Sequence, residues 1–303
     1  DIDFSGGVTI TDRASGGQRV MNPSDHFADR GGGSYTWAFD YAPADSEEIL
    51  QMIVRSLLET DTPAALTHIT GNHANSAYAT GENNNWILQM NKISPDASET
   101  RFLHSAVVNE ATFSMDTTTN GGRLGVSGVL YSGFRPIVSD EDANSDAFVT
   151  AAGATNTDFT KTIFDCHSAK IGGTTVVWKA FSLTIRNNAV RNGYATHNSN
   201  DGEPHEYFRG GMVEVEGSIT VKMDNTTVAL LNAGWLDGAS KAILIGDEGT
   251  TSGSGATSIF FECPTAKLTG HNVDYASDDG MFIEIPFMGT ASGTGKLVSV
   301  KLT

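Results

Sequence analysis

The chain has 303 residues, of which 36 are acidic and 19 are lysine or arginine, so its formal net charge is −17. A surface that binds nucleic acid needs clustered basic residues to contact the phosphates, and this acidic composition argues against one. No apolar run approaches the roughly 18 residues that span a bilayer, and two cysteines are too few for a disulfide scaffold or a zinc cage.

Short segments in which apolar and polar residues alternate predict β-strands through the first half of the chain. The clearest lie at residues 8–11, 35–39, 86–90 and 111–115. Asn120 and Gly121 then separate two alternating segments, and this dipeptide is typical of a β-hairpin because both residues tolerate positive φ. The first half is therefore expected to be mainly β.

One helix is predicted in this half, beginning near Asp45. Residues 45–48 read Asp-Ser-Glu-Glu, and acidic side chains in the first turn favour the positive end of the helix dipole. Apolar residues then recur at helical spacing until Pro63; they are Ile49, Met52, Ile53 and Leu57. The helix should therefore bury one face against the strands.

Residues 136–175 change in composition, from an acidic run to a stretch rich in Ala, Gly and Thr. This segment is expected to be a long connector or an inserted loop outside the core. Its acidic run alternates like the oxygen ligands of a calcium loop; the candidate ligands are Asp140, Asp142, Asn144 and Asp146. Ser145 replaces the turn glycine and Ala151 replaces the bidentate Glu, so a solvated acidic loop is favoured over a calcium site.

The second half returns to alternating segments, with strands expected near residues 181–185, 212–221, 258–262, 281–285 and 296–302. A short helix is predicted around Val228 to Trp235, because apolar residues recur at helical spacing there and Gly238 follows. The four tryptophans, Trp37, Trp86, Trp178 and Trp235, fall within these patterns and are expected in the core.

The two halves resemble each other in the order of their segments. Residues 33–40 share four identities with residues 217–224, 184 positions later, and both copies lead through an Asp into a helix. Residues 8–10 similarly match residues 183–185, 175 positions later. We therefore predict an internal duplication, with one domain at residues 1–135 and a second at residues 176–303.

The sequence contains no pattern that indicates catalysis or a cofactor. Residues 293–297 resemble the end of a phosphate-binding loop, but Thr290 stands at the first glycine position and Leu297 replaces the Ser or Thr that would bind magnesium. His68 and His73 do not share a helix face, and residues 165–167 are expected to alternate across a strand. Catalytic, cofactor and metal residues are therefore expected to be absent, apart from the weak calcium candidate. Cys166 and Cys263 are expected to be free thiols, with a bridge between the halves as the alternative.

Three stretches carry a resemblance to a known family; they are residues 102–115 with 120–133, residues 210–220, and residues 261–270 with 282–287. In these stretches and their order the chain resembles the bacteriophage tail tube (major tail) proteins of the two-domain, siphophage-like type. The resemblance covers most of the chain outside residues 136–175 and rests on strand patterns, because none of the stretches is a diagnostic motif.

The resemblance implies a duplicated tail-tube fold, in which each copy is a β-sandwich or barrel flanked by a helix. It also implies homotrimeric, pseudo-hexameric rings that stack into a hollow tube in the virion tail, assembled in the host cytoplasm. The implied partners are further copies of the chain, a tape measure protein, a tail terminator and tail-tip proteins. DNA would pass through the lumen without specific binding, and no membrane is implied.

Two other readings explain the composition as well. The first is a secreted or cell-surface β-sandwich protein, such as an adhesin or a carbohydrate-binding protein, for which calcium at Asp140 to Asp146 would be expected. The second is another structural component of the virion.

Overall fold

A computed structural model describes residues 2–5, 9–12, 26–29, 35–58, 69–72, 86–91, 100–132, 137–139, 158–194, 204–209, 212–246, 259–273, 281–291 and 296–302. Antiparallel strands dominate these residues, and most of them join one large sheet. The predicted mainly-β fold is therefore confirmed.

The first half contains nine strands and one helix in its described residues. In chain order they are β1 (Ile2–Ser5), β2 (Thr9–Asp12), β3 (His26–Asp29), β4 (Tyr35–Tyr41), α1 (Glu47–Leu58), β5 (Ile69–Asn72), β6 (Trp86–Asn91), β7 (Thr100–Asp116), β8 (Gly125–Ser132) and β9 (Ile137–Ser139). Strands β7 and β8 pair in an antiparallel hairpin around Asn120 and Gly121, whose φ angles of 50° and 64° are both positive. The predicted hairpin is confirmed.

The rest of the chain is also mainly β-strand in its described residues. Its elements are β10 (Ala169–Ile171), β11 (Thr174–Val176), β12 (Trp178–Arg186), β13 (Ala189–Tyr194), β14 (Pro204–Arg209), β15 (Glu214–Lys222), α2 (Asn225–Leu231), β16 (Lys241–Ile245), β17 (Ile259–Leu268), β18 (Asn272–Val273), β19 (Phe282–Gly289) and β20 (Lys296–Leu302). One turn of π-helix, Asn232–Leu236, extends α2 before Gly238, which has a φ of 66°.

Helix α1 forms because its sequence has both a start signal and an apolar stripe. The backbone N–H of Ile49 donates to Ser46 Oγ at 3.4 Å, at the beginning of the helix. The buried positions recur at helical spacing; they are Leu50, Ile53, Val54 and Leu57. Ser56 is also buried, and its hydroxyl accepts from the N–H of Val108 in β7 at 2.9 Å. The helix therefore packs on β7, and it also contacts β5 and β20.

The main sheet has the strand order β1-β4-β8-β7-β12-β15-β19-β17-β16-β10-β11. The two halves of the chain join within it, where β7 pairs with β12 and Phe113 lies opposite Leu183. Phe261 of β17 packs on both strands of this junction, with its ring centroid 5.4 Å from those of Phe113 and Phe181. One hydrophobic core therefore extends across both halves.

Strand pairing recurs between the two halves. The order β1-β4-β8-β7 in the first half is matched by β12-β15-β19-β17 in the second. The separate hairpin of β2 with β3 is matched by that of β13 with β14. The beginning of β7 pairs with β6 and β9, and β17 likewise pairs with β16 and β20.

This pairing corrects one sequence match. Residues 8–10 were matched with residues 183–185, which lie in β12 of the main sheet. The described part of residues 8–10 belongs to β2, which pairs with β3 outside the main sheet. In pairing order, β12 corresponds to β1 instead. The short Thr-Ile match reflects ordinary strand composition, which does not specify the partner of a strand.

Two expectations about residues 136–175 also need correction. The segment does not lie wholly outside the core, because Phe159, Ile163, Cys166 and Ile171 are buried with the main cluster. Residues 165–167 do not form a strand; Ile163–Cys166 is a 3-10 turn. The Asp165 carboxylate accepts from the Thr162 N–H at 2.7 Å, and this capping bond favours a helical turn over extended backbone.

Candidate functional site

Six adjacent strands, β4-β8-β7-β12-β15-β19, share one mainly polar face, which we call the polar face. Alternation along the strands sends apolar side chains into the core and leaves mostly polar or charged ones outside; the exceptions on β19 are Phe282, Pro286 and Met288. Hydroxyl side chains occupy its centre: Thr112 Oγ1 lies 2.8 Å from Thr184 Oγ1, and Ser182 lies opposite both Ser114 and Ser218.

Charges on the polar face are mainly negative. Among the side chains that the structure describes, six carboxylates belong to it: Asp40, Glu110, Asp116, Glu214, Glu216 and Glu284. The basic side chains there are Arg186, Lys222 and Lys179, whose Nζ lies 5.9 Å from the centre of the Phe282 ring. The local excess of acid matches the sign of the whole chain.

Arg186 is the centre of an ion-pair network on this face. Its Nε lies 2.9 Å from Glu110 Oε2 on β7, and its Nη1 lies 2.8 Å from Glu216 Oε2 on β15. Glu214 is farther away, at 3.9 Å. The hydrogen bonds that Arg186 donates to Glu216 and Glu110 raise the pKa of Arg186, so the guanidinium stays charged and links strands from both halves of the chain.

Two glycines allow large side chains to pack against the strands of this face. A Cβ on Gly217 would lie 2.5 Å from the Phe287 ring and 2.5 Å from the Ser182 carbonyl oxygen. A Cβ on Gly128 would lie 2.2 Å from the Glu110 carbonyl oxygen and 2.8 Å from the Phe39 ring. Both positions therefore require glycine for close packing rather than for a turn.

The predicted chemical sites do not form a cluster in the described residues. The calcium candidates Asp140, Asp142, Asn144 and Asp146 lie outside those residues, as do His68 and His73. Within the described ranges, no three His, Cys, Asp or Glu side chains are arranged to hold a metal ion. Leu297 is a buried residue of β20. No helix in the described part of the chain is long and apolar enough to cross a membrane.

Cys166 and Cys263 are both buried free thiols, which confirms the favoured prediction. Burial is the main cause that raises the pKa of each thiol to about 12, and Asp165 and Glu262 add to the effect. Neither cysteine has the lowered pKa of a nucleophile.

An apolar patch beside α2 was not predicted. Its exposed side chains are Val228 at 39%, Trp235 at 39% and Leu236 at 64%, and we call these three residues the α2 patch. Trp235 was expected in the core, as Trp37 is, but its ring instead makes an edge contact with His271 at a centroid distance of 4.7 Å. Helical spacing indicated an apolar face but not whether the chain itself covers it.

Comparison with known proteins identifies the family to which this fold belongs. No curated protein matches the chain. A family model described as phage tail tube protein matches residues 8–289, which is most of the sequence and includes both halves of the sheet. The match agrees with the resemblance carried by the three strand-rich stretches. The chain therefore belongs to the phage tail tube protein family, and it is a structural component of the virion tail, assembled in the host.

Proposed function

We propose that this chain polymerises into stacked rings that form the hollow tail tube, through which phage DNA is delivered to the host. The observation that carries the proposal is the family match across residues 8–289. A wide antiparallel sheet with one polar face and one core-facing side is also suitable for the wall of a water-filled channel, which is in contact with solvent on one side.

We further propose that the chain is a duplicated tail-tube unit, with domains at residues 1–135 and 176–303 joined by residues 136–175. The repeated pairing order supports this division, because chance similarity would not reproduce four sheet neighbours, a separate hairpin and the helix position together. Three such chains would supply six similar units and form a trimeric ring with pseudo-sixfold symmetry.

The polar face is the proposed lining of the channel. Its six carboxylates would repel the phosphate backbone of DNA, and its hydroxyl-bearing centre offers no basic cluster that would hold it. The genome would therefore move along the wall without being retained. The proposed partners at the ends and inside of the tube are the tail terminator, the tail-tip proteins and the tape measure protein.

Electron microscopy and sedimentation of the purified protein test this function. We expect rings or hollow tubes at high concentration, with a ring mass of three chains. A chain that stays monomeric at high concentration, and also when tail-tip and tape measure proteins are added as initiators, would contradict polymerisation. Rings with six chains would contradict the trimer while leaving the tube intact.

A further inference from the structure

The turn that joins β7 to β8 is a type I′ hairpin turn by the signs of its φ angles. It runs from Thr119 to Gly122, and the Gly122 N–H donates to the Thr119 carbonyl oxygen at 2.9 Å. The two central residues both have positive φ, 50° at Asn120 and 64° at Gly121. Asn-Gly is a favoured pair for this turn, and asparagine is also one of the thermolabile residues. The turn therefore holds a labile residue whose chemistry depends on the local backbone.

Asparagine before glycine deamidates by attack of the next backbone nitrogen on the side chain. Here the nitrogen of Gly121 would bond to Cγ of Asn120 and close a succinimide ring, while the Cγ–Nδ2 bond breaks. The side-chain nitrogen leaves as ammonia and takes the Gly121 amide proton with it. Water then adds to either ring carbonyl and leaves aspartate or isoaspartate at residue 120. The reaction needs no reactant except water, but the Gly121 nitrogen must be able to reach Cγ.

The peptide between Asn120 and Gly121 is held loosely on both sides. Its carbonyl oxygen accepts one long bond, from the Arg123 N–H at 3.3 Å, and its N–H donates to no residue that the structure describes. The Asn120 carboxamide also makes no hydrogen bond within the described part of the chain. Both residues are exposed, and a Cβ added at Gly121 would meet nothing within 4 Å. Water therefore reaches the turn, and little opposes a rotation of this peptide.

Rotation of this one peptide brings the reacting atoms together. Type I′ and type II′ turns share positive φ at the first central residue and differ in the orientation of the peptide that follows it. In a type II′ turn this residue has a ψ of about −120°, which is also the ψ that a closed succinimide ring imposes. Asn120 can therefore keep its φ while ψ changes, and Gly121 accepts the resulting negative φ without strain. The bond from Gly122 to Thr119 is kept, and only the 3.3 Å bond from Arg123 is lost.

A second Asn-Gly pair in the described residues provides an internal comparison. Asn192 and Gly193 lie in β13, and Asn192 is opposite Glu206 of β14 in an antiparallel ladder. Rotation of the peptide between them would break the pairing of the two strands, because its N–H and C=O are fixed in the plane of the ladder. The same dipeptide is therefore expected to be protected there.

We propose that Asn120 is a site of spontaneous modification, at which the folded chain converts asparagine to aspartate and isoaspartate through a succinimide with Gly121. Each conversion replaces an amide by a carboxylate and changes the formal net charge of the chain from −17 to −18. The new charge lies at one end of β7 and β8, which are strands of the polar face. The modification goes beyond the proposed function and does not depend on tube assembly.

Mass spectrometry of the ageing full-length chain tests the proposal. The purified protein is incubated at neutral and at mildly alkaline pH and digested, and the aspartate and isoaspartate peptides are separated by chromatography. We expect conversion at Asn120 to be at least about tenfold faster than at Asn192, because the ladder around Asn192 must open first. Both rates should rise with pH, since the attacking nitrogen must lose its proton.

An unfolded sample and one variant are the controls. In concentrated guanidinium chloride Asn120 and Asn192 should convert at similar rates, because the ladder that protects Asn192 is lost. Asn120→Gly keeps a residue that tolerates positive φ but removes the carboxamide. This variant should keep the circular dichroism spectrum of the unmodified chain and lose the acidic form that isoelectric focusing detects for modification at residue 120.

The outcomes are decided on the isolated chain. Faster conversion at Asn120 in the folded protein, together with similar rates after unfolding, is the expected result. Equal rates at the two sites in the folded chain, faster conversion at Asn192, or no conversion at either site would overturn the proposal. None of these results bears on tube assembly, and a chain that forms no rings would leave the modification site unaffected.

Discussion

Arg186 joins three strands through carboxylates on both of its neighbours, and its removal should leave those carboxylates facing one another. We expect Arg186→Gln to lower the free energy of unfolding by about 1 kcal/mol, a modest value because the network is a third or more exposed. Urea denaturation at low salt measures the change, and added NaCl should reduce it.

The control for this substitution is Arg123→Gln, since Arg123 is exposed in the turn between β7 and β8. Equal destabilisation by both variants would show that the effect is not specific to the network.

The two thiols should be inert in the folded chain. Because the pKa of each is raised to about 12, we expect no alkylation of Cys166 or Cys263 by iodoacetamide when the pH rises from about 7 to about 9. Both should react in concentrated guanidinium chloride, where burial is lost. Mass spectrometry counts the adducts, and rapid modification of either residue in the native protein would contradict the burial.

Residue-level features were predictable where a local rule decides them. Free cysteines were favoured over a bridge between the halves, and the buried Trp37 followed from strand alternation. The exposure of Trp235 did not, because the spacing of a helix identifies an apolar side but not the group that covers it. The Arg186 network joins residues 76 and 30 positions apart, which no local pattern could have revealed.

At the scale of single elements, Gly217 is the most constrained position of β15. We expect Gly217→Ala to destabilise the protein by about 1–3 kcal/mol, because the new Cβ would overlap the Phe287 ring and the Ser182 carbonyl oxygen. Gly270→Ala is the control, since its Cβ would meet only Pro286 Cγ, at an ordinary 3.9 Å. Thermal or urea denaturation of both variants gives the comparison, and similar losses would argue against a steric cause.

Asp224 caps the beginning of helix α2, and its carboxylate accepts from the Thr227 N–H at 2.9 Å. This hydrogen bond is the main cause that holds the pKa of Asp224 below its usual range. The carboxylate therefore stabilises the fold fully above about pH 4, and the contribution disappears as the pH falls through the lower folded pKa. We expect Asp224→Ala to lower the melting temperature at neutral pH, with a gap from the unmodified chain that narrows below about pH 4.

Asp224→Asn separates the cap from the charge, since asparagine is also a good N-cap residue. Its melting temperature should exceed that of Asp224→Ala at neutral pH and should lack the acid-dependent loss. A gap that stays constant down to the lowest pH at which the protein folds would contradict a role for the carboxylate charge.

The elements themselves were largely predictable, whereas their neighbours were not. Both helices and most alternating strands appear where the sequence placed them, since period and caps are local signals. The pairing of β5 with β20 joins residues more than 220 positions apart, and no local signal specifies it. The same limit explains why residues 158–171 were expected outside the core, although their buried residues pack against distant strands.

At the scale of the whole molecule, the charge distribution and the sheet topology are both consistent with a sheet that lines a channel. The excess of acid is not confined to a tail, because six carboxylates occur on strands from both halves and on the same face. On that face the six carboxylates outnumber the three basic side chains, and a net negative wall is what the proposed channel requires.

Glu284 provides the sharpest test of that channel. It lies exposed near the middle of β19, opposite Thr220 and outside the Arg186 network. We expect tubes of the Glu284→Lys variant to retain labelled duplex DNA in a sedimentation assay at low salt, with retention that falls steeply as NaCl is added. Tubes of the unmodified chain should retain almost none, and Glu284→Gln should lie between them.

Thr174→Lys controls for a positive charge elsewhere, since Thr174 is exposed in β11 at the far end of the sheet. Its tubes should behave like those of the unmodified chain, because a lysine outside the channel leaves the wall unchanged. If Glu284→Lys tubes assemble normally and retain no more DNA than Thr174→Lys tubes, the polar face does not line the channel. The chain would still belong to the tail tube family, and another surface of the same sheet would have to line the channel.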